Sequence, residues 1–93
     1  MIYDLNCRYD ARQSFYGKAQ VEETKIENGT KLKLFSYGTL VAEIETNKNK
    51  TTYNYFGKYS QTTTRHQKEF FKQYGLSDKE IKELFKNGTL EVY

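Results

Sequence analysis

One stretch, Thr51–Tyr74 (TTYNYFGKYSQTTTRHQKEFFKQY), constrains the fold more than any other part of the chain. It opens as a strand, with Tyr53 and Tyr55 on one side and Asn54 and Phe56 on the other, the period of two expected of a half-buried strand. It then crosses the hydroxyl run Ser60–Thr64 and turns helical. At about 100° per residue, Thr63, Gln67, Phe70, Phe71 and Tyr74 share one side, and Arg65, Lys68, Glu69 and Lys72 the other. Thr64 with Gln67 fits a capping box, while Ser60 or Thr62 would start the helix earlier. Gly75 is placed to stop it. Such a unit needs a sheet for its strand to join and an apolar sheet face for its helix to cover.

The preceding residues supply that sheet. Ala19 and Val21 alternate with Gln20, Glu22 and Thr24, and Asn28-Gly29 is a strong hairpin signal because both residues tolerate positive φ. The return strand Thr30–Tyr37 sets Leu32 and Leu34 against Lys31, Lys33 and Phe35, and Gly38 marks the next turn. A third strand, Thr39–Thr46, sets Leu40, Ala42 and Ile44 against Val41, Glu43 and Glu45, and Asn47–Lys50 is a polar turn. Beyond the helix, Ser77-x-x-Glu80 forms a capping box, Leu76 and Ile81 a hydrophobic staple, and Asn87-Gly88 a stop. The predicted fold is one α+β domain over residues 1–93. Residues 1–16, which lack a clean period that would assign them a helix or strand, form an N-terminal arm packed partly through Tyr3, Tyr9, Phe15 and Tyr16. Residues 17–59 form a four-stranded antiparallel β-meander, 60–75 an amphipathic helix against it and 77–88 a second short helix. The tail Thr89–Tyr93 returns as a terminal strand.

Length and composition exclude some functions. Ninety-three residues leave no room for a second core. Hydrophobic residues make up 37%, so the 16% of aromatics must fill much of the interior. The lone Cys7 excludes an internal disulfide and a multi-cysteine zinc site. The N-terminus carries charge from Asp4 and lacks the apolar stretch of a signal peptide, and no run is long enough to span a bilayer. The expected setting is cytoplasmic, without membrane partners.

Chemistry-bearing residues are sparse. His66 is the single histidine and would need a nucleophile, carboxylate or further ligands to act. Glu43 and Glu45 point the same way along a strand and read as a solvated sheet face. No cofactor, metal site or catalytic centre is expected. The basic-aromatic stretch is the better candidate: Lys58, Tyr59, Arg65, Lys68 and Lys72, with Tyr53 and Tyr55, suit stacking on bases or docking against a protein surface. The same residues also fit a plain division, tyrosines in the core and lysines on the solvated back of the helix. Arg65 and Glu69, four apart, are placed to neutralise each other.

Three blocks, Asp10–Val21 (DARQSFYGKAQV), Ser36–Ile44 (SYGTLVAEI) and Tyr59–Gly75 (YSQTTTRHQKEFFKQYG), make the chain resemble a family of small phage and plasmid proteins of Gram-positive bacteria. The chain departs from that pattern at Gln67, where an aliphatic residue is commoner, and in its end, Ser77–Tyr93. The resemblance implies a mobile-element origin, and proteins of that kind include inhibitors of host defence such as anti-CRISPR proteins. The expectation is therefore a non-enzymatic inhibitor that binds a host effector nuclease, foremost a type II CRISPR effector, or its guide-RNA complex. The competing expectation is a nucleic-acid-binding module using the basic helix face. An exposed edge strand leaves both monomer and homodimer open.

Overall fold

The computed structural model describes residues 1–10 and 15–93; positions 11–14 of the N-terminal arm lie outside the described residues. One antiparallel sheet runs in chain order through β1 (Ile2–Asp4), β2 (Ala19–Ile26), β3 (Gly29–Ser36), β4 (Thr39–Asn47), β5 (Thr51–Tyr55) and β6 (Thr89–Val92). Helices α1 (Gln61–Gln73) and α2 (Asp78–Asn87) intervene between β5 and β6. The expected four-strand meander is β2–β5, and β1 and β6 extend it to six.

The wider sheet explains why one helix does not suffice as its cover. Six strands spaced at roughly 4.8 Å present a face well over twice the roughly 10 Å diameter of a helix. Accordingly α1 packs against β3 and β4, while α2 packs against β5 and β6. Between sheet and helices lie Val21, Leu32, Leu34, Ala42, Ile44, Tyr53, Phe70, Phe71, Ile81 and Leu84, all buried.

Turn chemistry sets the registers. The first hairpin closes through Glu27 and Asn28, and the positive φ falls on Asn28 (65°). Gly29, expected inside the turn, is instead the first residue of β3, opposite Ile26 and Asn47. A Cβ there would collide with the Thr46 carbonyl oxygen and stand 2.8 Å from Asn47 Cα, so glycine is needed for close approach. The second hairpin places both Tyr37 (52°) and Gly38 (80°) at positive φ, as in a type I′ turn.

Strand β4 departs from simple alternation. Leu34 pairs with Ala42 and Phe35 with Leu40, which leaves Val41 as a bulge. Val41 therefore turns inward and is buried beside Ala42, rather than sharing the outer face with Glu43 and Glu45. Its carbonyl accepts from the Phe56 N–H (3.2 Å) and from Gln67 Nε2 (3.0 Å). This bond ties the sheet to α1.

Both helices begin and end on identifiable signals. Ser60 caps α1, its hydroxyl accepting from the Thr63 N–H at 3.1 Å, so the helix starts earlier than the Thr64 box would place it. At the other end the Leu76 N–H reaches the Phe71 carbonyl and the Gly75 N–H the Lys72 carbonyl, the two bonds of a Schellman motif. Ser77 and Glu80 make both bonds of the expected capping box on α2, and Gly88 closes it in the left-handed conformation.

Candidate functional site

The outward face of α1 gathers the cations singled out by the sequence, and Lys58 and Tyr59 stand exposed just before its cap. The arrangement is more neutral than the spacing suggests. Arg65 pairs with Asp10 at 3.5 Å, and Lys72 with Asp78 at 2.9 Å. Lys58 and Lys68 have no ion-pair partner among the described residues. A cavity of about 300 Å³ opens between the N-terminal arm and α1, lined by Tyr9, Asp10, Arg65, Lys68, Glu69 and Lys72.

Glu69 is the main departure on this helix. Helical spacing puts it outside, as a partner for Arg65; in the structure it is 2% exposed. Its Oε1 accepts from two successive backbone N–H groups, Tyr9 (2.8 Å) and Asp10 (2.9 Å), and its Oε2 from Gln73 Nε2 (2.6 Å). The N-terminal arm packs over this flank, with Phe15 edge-on to His66 at 4.5 Å, and so widens the buried arc of α1. Asp10 is thereby held where it meets Arg65.

Tyr53 and Tyr55 do not join the surface group. Tyr53 is buried, donates to the Tyr74 carbonyl at 3.1 Å and packs edge-on to Phe71. Tyr55 stacks on Phe85 with centroids 4.1 Å apart. Burial raises the pKa of both phenols.

His66 lies wholly inside, with Nδ1 2.8 Å from Ser36 Oγ, which in turn is 2.9 Å from Thr63 Oγ1. Imidazole and hydroxyls form a buried polar tie between β3 and α1. On the uncovered sheet face, cross-strand rows run Glu22–Lys33–Glu43 and Thr24–Lys31–Glu45. Lys31 bridges Glu43 (3.8 Å) and Glu45 (3.5 Å), so these acids are ion-paired on the open face.

Two tyrosines escaped the sequence reading of the surface. Tyr16 and Tyr37 each precede a glycine, each takes φ 52°, and they are 78% and 58% exposed. The Tyr37 N–H donates to the Lys18 carbonyl at 2.8 Å, which links the two turns. A bulky residue in the left-handed region is uncommon.

The model of a family of unknown function, DUF8033, matches residues 3–87. The chain belongs to that family. The match enters β1 at Tyr3, takes in β2–β5 and both helices, and leaves residues 88–93 beyond it. Neither the curated proteins nor the solved structures compared with the chain give a match. Among the described residues no helix is long and apolar enough to cross a membrane.

Proposed function

We propose that this DUF8033 member is a non-enzymatic protein of a phage or other mobile element that inhibits a host defence nuclease by stoichiometric protein binding. A type II CRISPR effector, alone or with its guide RNA, is the proposed target. The mobile-element origin rests on the resemblance of the three sequence blocks. Protein docking is favoured over nucleic-acid binding by one observation: two of the three cations of α1 are paired with carboxylates, Arg65 with Asp10 and Lys72 with Asp78. A phosphate track needs unpaired cations, whereas a mosaic of both signs, edged by exposed Tyr59, suits a protein partner.

The electrostatics give this choice a measurable form. Four phosphate contacts would cost about 150-fold in affinity as salt rises from about 50 to about 200 mM, and two contacts only about 12-fold. The test is capture of the purified effector nuclease by the protein, with and without guide RNA, together with a cleavage assay. A complex of fixed stoichiometry and suppressed cleavage are expected, with little salt dependence. The reading fails if no complex forms and cleavage is unchanged. Tight, steeply salt-dependent binding to free DNA or RNA would move the protein to the nucleic-acid class.

A further inference from the structure

The two helices leave a groove between them of about 510 Å³, lined by Lys68, Lys72, Asp78, Ile81, Lys82 and Phe85. Its floor is apolar and fixed. Ile81 is buried, and the Phe85 ring is stacked on Tyr55 and set edge-on to Phe71 at 6.4 Å, which holds it in place. Its rim is basic. Lys68 and Lys82 have no ion-pair partner among the described residues, and Lys72 meets only Asp78 there.

Asp78 shows what this rim accepts. Its carboxylate is exposed yet sits 2.9 Å from Lys72 Nζ. The hydrogen bond and charge of Lys72 hold its pKa below the usual aspartate range, and Lys68 and Lys82 push in the same direction. Lys72 thus pairs with a carboxylate supplied by the chain itself, and Lys68 and Lys82 line the same groove. Three cations against one acid leave the groove with a positive surplus beside an apolar floor.

We infer that the α1–α2 groove docks an acidic, amphipathic peptide segment of a protein partner, with its carboxylates on Lys68, Lys72 and Lys82 and an apolar side chain over Ile81 and Phe85. Charge complementarity chooses the acidic segment, and the floor of Ile81 and Phe85 takes the apolar side chain of an amphipathic one. The inference rests on the protein-docking reading above and names its surface. Lys68 and Lys72 were already in the sequence's candidate set; Lys82 and Phe85 enter only because α2 folds back beside α1.

The test needs no defence nuclease, so its failure is distinct from failure of the inhibitor reading. The full-length, isotope-labelled protein is titrated with a synthetic helical peptide carrying glutamates on one face and leucines on the adjoining one, followed by amide NMR. The same peptide with glutamine for glutamate and a single-stranded oligonucleotide serve as the comparison probes. Shifts centred on Lys68, Lys72, Lys82 and Phe85 are expected with the acidic peptide. Charge reversal in Lys68→Glu/Lys82→Glu, at exposed positions, should weaken it about tenfold. Asp78→Asn, which removes the competing internal carboxylate, should tighten it severalfold. Amide dispersion checks that each variant is folded. Absence of shifts in the groove, equal binding of the glutamine peptide, or stronger binding of the oligonucleotide at the same residues would each overturn the assignment.

Discussion

Replacing Glu69 by leucine should be among the most damaging single changes on α1, although helical spacing assigns that position to solvent. The carboxylate holds two backbone N–H groups of the N-terminal arm and the Gln73 amide. Hydrogen bonds to a charged group each contribute about 1.5–3 kcal/mol, partly offset by the cost of burying the charge. Losing the acceptor leaves the Tyr9 and Asp10 N–H groups without their partner, and the net loss is put at about 3–5 kcal/mol. A 93-residue domain has only about 5–14 kcal/mol in total. Urea denaturation is the assay: at a slope of about 1–3 kcal/mol per molar, the midpoint should fall by at least ~1 M with the slope unchanged. Glu69→Gln keeps one acceptor oxygen but turns an amide N–H₂ toward a donor, and should lose about half as much. Arg65→Ala separates this reasoning from the sequence-spacing alternative, because an exposed pair contributes about 0–1 kcal/mol. If Glu69→Leu stays within about 1 kcal/mol of the parent, the carboxylate does not fasten the arm and the argument is wrong.

Glycine substitutions should separate steric from conformational need. Gly29→Ala drives a Cβ into the Thr46 carbonyl and should cost about 2–3 kcal/mol or more. Gly38→Ala meets open space and carries only the left-handed penalty of roughly 1–2 kcal/mol; equal losses in thermal melts would refute the distinction. Ser77→Ala should cost about 1 kcal/mol by removing the α2 cap, read as faster amide exchange at Glu80. The Glu80 pKa is lowered by its bond from the Ser77 backbone, so folding binds its proton less tightly than the unfolded chain does. Its stabilisation is therefore present above the ordinary glutamate value of about 4.3 and is lost as pH falls through the lowered folded value. Carboxyl NMR should give a Glu80 midpoint below that of a free glutamate, and Glu80→Gln should remove this part of the acid fraying; an ordinary midpoint contradicts the capping geometry.

Most local structure was legible because it depends on near neighbours. The alternation of Ala19 with Val21 and of Leu32 with Leu34, the Ser77–Glu80 box, the Leu76–Ile81 staple and the return of Thr89–Val92 each follow from a few adjacent side chains. Reading failed where distant segments meet. Val41 faces inward because β3 and β4 pair around a bulge, and Gly29 is required by Thr46, seventeen residues away. The candidate surface followed the same division. Arg65, Lys68 and Lys72 lie together because helical spacing determines their side, with Lys58 and Tyr59 just before the cap, but Tyr53 went to the core and Tyr55 onto Phe85 once both helices covered the sheet.

The sequence by itself determined the α+β class, the order of elements from β2 onward and the basic back of α1, since periodicity and caps act within a few residues, whereas β1 forms only by pairing with β2. Only the tertiary structure decided that Glu69 is buried, that Asp10 and Asp78 neutralise two of the cations, and that α2 adds Lys82 and Phe85 to a groove beside Lys68. Those outcomes turn on which surfaces the arm and α2 press against α1, and no local spacing encodes that choice.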